Sequence, residues 1–394
     1  MKETTLIFFV ILVNVFFLLY SVGDLSIRYE EAELFFYSEG LIHTLVNYST
    51  SVFGQNDFAL RMPFIVMHVL SMLCMYKIGK LFLKNKLDRV ISVGIYALLP
   101  GVNSAAILVN SAGVVICLTL FFIFLYMYEL KKQAYLVLFL MLFIDNSFVI
   151  LYFGLFFFAI SKKDNFLIIL SLILFSASMY IYGFDTGGKP RGYFLDALGV
   201  YAAIFSPLLF LYFIYALYRI LIKEEKNLLW YISFSALLLS LLLSFRQKVQ
   251  MEEFAPFVVI AIPLMVKIFF NSYRVRLPRH RKYHNTAFAI VFLFLVGNYM
   301  VSVFNKELYH VLSNPTKHFA YDYHIAKELA QNLKKEGIYN INANDSRLQL
   351  RLKFYGIYSG GLYELALSSR DKKDLKTIDI IYFGKLVQKF YLYR

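Results

Sequence analysis

Apolar residues run almost unbroken along most of the chain, and polar residues gather in short gaps between the runs. About eleven such stretches, at 4–23, 62–83, 89–108, 112–128, 134–144, 147–160, 166–182, 200–222, 228–245, 254–270 and 286–304, predict helices. Most reach the roughly 20 residues that a helix needs to cross a bilayer. The fifth and sixth are too short to cross alone, and "DNS" (Asp145–Ser147) between them marks a break into half-helices. The 4–23 run can be read as a secretory signal with Ser21 and Gly23 at its cleavage site. Its only basic flank is Lys2 and the run is long, which favours an uncleaved span.

From about residue 305 the pattern changes. "YDYHIAKELAQNLKKEG" places Ile325, Leu329 and Leu333 at helical spacing with Gly337 as C-cap. The runs "IYNINA", "LQLRLKFYGI" and "IDIIYFG" after it read as short strands. The expected fold is mainly α: a polytopic membrane helix bundle over 1–304, including an outside loop at 24–61, and a small extracytoplasmic α/β domain over 305–394.

Composition agrees with burial in lipid: 59% of the 394 residues are hydrophobic and 19% aromatic, and the mean hydropathy is +0.60. A net charge of +14 in a soluble protein would point to nucleic acid. Here the Lys and Arg residues sit in the gaps, where they orient the chain, so no nucleic-acid partner is expected. With the N-terminus inside, "KNKLDR", "KK", "SKK", "KEEK" and "RVRLPRHRK" (274–282) all fall on the cytoplasmic side. The gaps 24–61, 183–199, 246–253 and the tail then lie outside, in what this reading makes a bacterial inner (plasma) membrane. Cys74 and Cys117, both inside apolar runs, predict neither a disulfide nor thiolate chemistry.

Charged residues in the outside gaps are the candidates for chemistry. "YEEAELFF" sets Glu30, Glu31 and Glu33 just past the first span, and Leu34, Phe35, Leu41, Ile42, Leu45, Val46 and Phe53 can seat two short helices in the interface. A carboxylate desolvated there would be a usable base; the plainer reading is a solvated helix face. Arg246 and Lys248 stand just outside one span, Lys189 and Arg191 form a second basic patch and Arg61 a third. Each suits a phosphate, and each could equally anchor lipid headgroups. His68, mid-span, reads as a hydrogen-bond partner within the bundle, while His43 could be a partner or a ligand.

"EEA" (30–32), "FGQNDFALRMP" (53–63), "ALLPG" (97–101), "SPLLF" (206–210) and "RQKVQMEEFAPFVVIAIP" (246–263) together resemble the GT-C membrane glycosyltransferases. The branch is that of the protein O-mannosyltransferases and lipid A aminoarabinose transferases, and the resemblance covers roughly residues 1–270. It implies transfer of a sugar from a polyprenyl-phosphate donor to a hydroxyl acceptor in lipid A, a glycan or a protein, usually with inversion. By this mapping Glu30 takes the catalytic position, with Glu31 its alternate, and Arg61, Arg246 and Lys248 hold the departing phosphate. A divalent metal is left open.

Three positions depart from the family pattern. Its Pro-Pro is Glu39-Gly40 here, an acidic residue expected within "LVNSAGVV" is Ser111, and a usual Lys falls near Asp145, which could supply the carboxylate lost at Ser111. Two other readings stay open: a degenerate relative that binds a lipid-linked sugar without transferring it, and a non-catalytic carrier or flippase for a lipid-linked glycan. Gathering of charges at one mouth favours the enzyme over a transporter, which would carry polar groups near mid-membrane.

Overall fold

A computed structural model describes residues 2–183, 192–367 and 376–393. Among these the chain is mainly helical, with a small mixed sheet near its C-terminus. In chain order the helices begin α1 (Glu3–Asp24), α2 (Tyr29–Phe36), α3 (Leu41–Phe53), α4 (Asp57–Phe82), α5 (Lys86–Leu98), α6 (Pro100–Ile107), α7 (Ser111–Met127), α8 (Lys131–Met141) and α9 (Phe148–Lys162). They continue with α10 (Asn165–Tyr182), α11 (Phe194–Phe205), α12 (Pro207–Lys223), α13 (Leu228–Ser244), α14 (Met251–Val259), α15 (Ile262–Val275), α16 (Pro278–Val303), α17 (Ala326–Lys335) and α18 (Ser346–Phe354). The strands are β1 (Asn342–Ala343), β2 (Glu364–Ala366), β3 (Lys376–Tyr382) and β4 (Lys385–Tyr393).

Among the described residues four helices, α1, α4, α10 and α16, are long and apolar enough to cross a membrane, and the number rises to seven if each of three bent pairs is one span. The bent pairs are α5–α6 at 61°, α11–α12 at 104° and α14–α15 at 42°. The break expected at Asp145–Ser147 separates α8 from α9.

The chain packs as two compact units. The first comprises Met1–Phe16, Phe64–Ala106 and Asn110–Tyr299. Its helices approach closely where side chains are small: a Cβ on Gly154 of α9 would lie 2.9 Å from the Ile232 backbone of α13. Ser233 Oγ donates to the carbonyls of Phe257 and Val258 at 2.8 and 2.7 Å, joining α13 to α14. Without water, buried polar groups must find such partners. His68 is one of them: its Nε2 donates to Asn14 Oδ1 at 2.8 Å, and Asn14 Nδ2 donates to Asn103 Oδ1 and the Ala97 carbonyl.

The second unit comprises Phe17–Pro63, Ile107–Val109 and Met300–Arg394. Loop 24–61, expected with the bundle, thus belongs to the same unit as the tail. Its sheet has the order β1-β2-β4-β3, parallel between β1 and β2 and antiparallel elsewhere. Phe383 and Gly384, both with positive φ, turn β3 into β4. Helix α17 and Gly337, at φ +73°, stand where the spacing predicts them. The run "LQLRLKFYGI" does not form a strand; most of it lies in α18. The Asp345 carboxylate accepts from Arg347 N and caps that helix, while Leu348 and Leu352, one turn apart, enter the core. Alternating apolar residues suggested a strand, but the cap and the i,i+4 pair decide for a helix.

Candidate functional site

The most heavily charged buried cluster among the described residues lies in the second unit and starts at α2. Arg28 precedes the helix in extended conformation, so Glu30 and Glu31 fall in its first turn, where the helix dipole favours negative charge. Neighbours on a helix point about 100° apart, so the two carboxylates leave on different sides. Glu31 turns inward and is 3% exposed. Its Oε2 accepts from Arg28 N at 3.0 Å and from an Arg61 guanidinium nitrogen at 2.9 Å, and its Oε1 accepts from Val109 N at 2.9 Å. Glu30 turns outward, its side chain 62% exposed, and meets Arg28 Nε at 3.0 Å.

Arg61 on α4 is fully buried. Besides Glu31, its guanidinium donates to the Ser26 carbonyl at 3.1 Å and lies 3.5 Å from Asp57, one turn back on the same helix. Asp57 in turn accepts from the Tyr355 hydroxyl at 2.7 Å and pairs with Lys327 at 3.0 Å. Tyr355 Oη also accepts from Ile27 N at 2.8 Å, and Lys327 also donates to the Gly23 carbonyl at 2.9 Å. Arg351 of α18 donates to the carbonyls of Ile27 and Asp322. Glu31 and Asp57 thus pair with Arg61 and Lys327, while the third cation, Arg351, is met by backbone carbonyls, and these partners matter because a buried charge without one is costly. Burial first, then the Asp57 charge, pushes the Tyr355 phenol well above its ordinary range, so it remains a donor. Arg61 Nε is buried without a partner.

This cluster ties the end of α1, the segment 25–28 and the start of α2 to α4, α17 and α18. His43 adds a second tie, for its Nδ1 donates to the Leu34 carbonyl at 2.9 Å and so joins α3 to α2. Gly40, at φ +114°, starts α3 with a backbone closed to proline, so the family's Pro-Pro has no counterpart in this turn.

The sequence candidates thus separate. Glu31 and Arg61 come together in the buried cluster, with Arg61 enclosed by carboxylates, and Glu30 stands beside them in solvent. Arg246 and Lys248 are exposed after α13 in the first unit, and neither forms an ion pair among the described residues. Asp145 accepts from the Ser147 backbone N–H and hydroxyl and so organises the turn into α9. Ser111 opens α7, which Asn110 caps by accepting from Ala112 N. Lys189 and Arg191 lie outside the described residues. No group of three or more His, Cys, Asp or Glu that could hold a metal occurs among the described residues.

Sequence reasoning passed over Asp57, Lys327, Arg351 and Tyr355. The spacing of Asp57 and Arg61 at i,i+4 is a legible pairing signal. Tyr355 is 298 residues from Asp57, and nothing local announces that contact.

The helices define a multi-pass integral membrane protein. Compared with known proteins, the chain matches no family model and no curated protein.

Proposed function

We propose that this protein transfers a sugar from a polyprenyl-phosphate donor to a hydroxyl acceptor, a lipid, glycan or protein, on the outer side of the membrane. The observation that carries this reading is the exposed Glu30 carboxylate on a helix start held by the buried Glu31–Arg61 pair. A general base must be accessible to its substrate and fixed in position, and an anchored first turn supplies both conditions. In the proposed reaction Glu30 takes the proton of the acceptor hydroxyl. The oxygen attacks the anomeric carbon from the face opposite the phosphate, and the sugar–phosphate bond breaks with its electrons on phosphate. Arg246 and Lys248, both exposed without an ion pair among the described residues, are free to bind a phosphate. Arg61 is assigned the positioning of α2, because its charge is already met by Glu31 and Asp57.

A second reading, a non-catalytic carrier for a lipid-linked glycan, is favoured by the three bent helix pairs, since broken helices mark many transporters. One experiment separates the two. Purified protein in lipid vesicles is given polyprenyl-phosphate sugars and a panel of hydroxyl acceptors. The enzyme reading expects covalent transfer that Glu30→Gln lowers about 10²–10⁴-fold. Movement of intact donor across the vesicle without transfer, unchanged in Glu30→Gln, would establish the carrier.

A further inference from the structure

The first unit contains a cavity of about 220 Å³ among α5, α12, α15 and α16, lined almost wholly by apolar side chains. From α16 come His284, Ala287, Phe288, Val291, Phe292 and Leu295. These recur at spacings of three and one, which is a single helix face. The wall is not sealed: Ala287 and Phe292 are exposed, so the cavity opens on the flank of α16.

One end of this wall is basic. His284 lies just past "RVRLPRHRK", the segment in which α15 ends and α16 begins. Some cations near this end are already paired: Arg274 with Asp88 at 2.6 Å and Lys267 with Glu224 at 3.7 Å. Arg219 and Arg276 are different. Arg219 follows the lining residue Tyr212 by two turns on α12, hence on the same helix face, and Arg276 caps the end of α15, whose Phe269 and Phe270 line the cavity. Neither forms an ion pair among the described residues, and Arg219 Nε is buried with no hydrogen-bond partner. A guanidinium without an anion beside an apolar slot matches the two halves of an acidic lipid.

The length of the slot identifies the lipid further. From 284 to 295 a helix rises about 16 Å at 1.5 Å per residue, close to the ~15 Å of one leaflet's hydrocarbon, half of a core of about 30 Å. A single acyl chain fits that depth, whereas a long polyprenyl chain exceeds it.

We propose that this cavity holds one acyl chain of an anionic phospholipid, with Arg219 and Arg276 on its phosphate, and that the lipid joins α16 to the bundle. This site is independent of the transfer reaction proposed above. To test it, the protein is reconstituted in vesicles of equal parts phosphatidylglycerol and phosphatidylethanolamine. It is then extracted in mild detergent, and the retained lipid is counted by native mass spectrometry. The wild type is expected to retain phosphatidylglycerol about tenfold over phosphatidylethanolamine, the scale of one charge-assisted hydrogen bond. The double variant Arg219→Ala/Arg276→Ala should lose that preference, and Arg219→Lys/Arg276→Lys should keep most of it. Ala287→Trp, which fills the slot and leaves both guanidiniums in place, should lower retention to a similar degree. Equal retention of the two lipids by the wild type overturns the proposal whether or not the variants fold. Wild-type retention by Ala287→Trp, or displacement of phosphatidylglycerol by an equal concentration of polyprenyl phosphate, overturns it as well.

Discussion

Glu31 and Arg61 meet at 2.9 Å with both side chains withdrawn from solvent, while Glu30, one residue earlier, stands in water against Arg28. Adjacent carboxylates therefore have opposite energetic roles. Removing Arg61 leaves the buried Glu31 without a cation, at a cost of about 3–5 kcal/mol, and removing Glu31 leaves Arg61 with Asp57 alone at 3.5 Å. Glu31→Ala and Arg61→Ala should each lower the unfolding temperature in detergent markedly. Glu30→Ala breaks only an exposed pair, worth about 0–1 kcal/mol, and should unfold like the wild type.

Activity should follow the reverse order per unit of stability lost. Glu30→Gln keeps shape and hydrogen bonding but cannot take a proton. Turnover should fall about 10²–10⁴-fold in the transfer assay, with the unfolding temperature unchanged. Glu33→Gln, which loses a nearby exposed carboxylate on α2, serves as the control and should retain turnover. Wild-type turnover in Glu30→Gln would remove Glu30 from the mechanism.

Donor binding is expected to depend on Arg246 rather than on basic residues in general. Arg246→Ala should weaken binding of polyprenyl phosphate in vesicles by about tenfold, the loss of one charge-assisted contact. Lys376→Ala, which removes an exposed partner of Glu336 on β3, should bind as the wild type does. Equal affinities for all three proteins would leave headgroup anchoring as the role of Arg246.

Tyr355→Phe deletes the hydroxyl that donates to Asp57 and accepts from Ile27 N. Two buried groups lose a partner together, and each such loss costs about 1–3 kcal/mol. Chemical unfolding followed by a probe in α18 should register that loss. No change in the midpoint would mean that water replaces the phenol.

Acid should loosen the second unit through its buried imidazoles. His324 Nε2 donates to Asn305 Oδ1 at 2.8 Å, and His318 Nε2 to the Asn305 carbonyl at 2.8 Å, while His318 Nδ1 accepts from Ala320 N. Burial, with His318 and Lys306 nearby, pulls His324 down to about 3, and burial lowers His318 as well. Below the ordinary histidine value of 6.5 the unfolded chain takes up protons that the folded one refuses. Stability is therefore complete above pH 6.5 and falls as the pH drops toward 3, by up to about 1.4 kcal/mol per pH unit through His324, and His318 acts in the same direction. Thermal unfolding in acid should show this slope, and His324→Asn should make it shallower.

Orientation is testable by cysteine labelling in intact cells. Ser51 is exposed at the end of α3, and Arg279 is exposed at the start of α16. If the basic gaps face the cytoplasm, an impermeant reagent should modify Ser51→Cys and spare Arg279→Cys. The reverse pattern would put Glu30 in the cytosol and end the transfer reading.

The apolar runs, read alone, determine the helical class, the break at Asp145–Ser147 and helix α17 with its glycine cap. These are local matters: a backbone buried in lipid must bond within its own segment, and 3.6-residue spacing marks a buried helix face. Tertiary structure decided that "LQLRLKFYGI" is mostly a helix, because a ten-residue run carries both periodicities until its cap and core contacts choose between them. It also decided which of two adjacent glutamates is buried. "EEA" offers both carboxylates equally, and only Arg61, Val109 and the turn at Arg28 draw Glu31 inward. Tyr355, 298 residues away, and Lys327 close around Asp57, a contact that no local pattern encodes because its free energy is gained only when those segments are packed together.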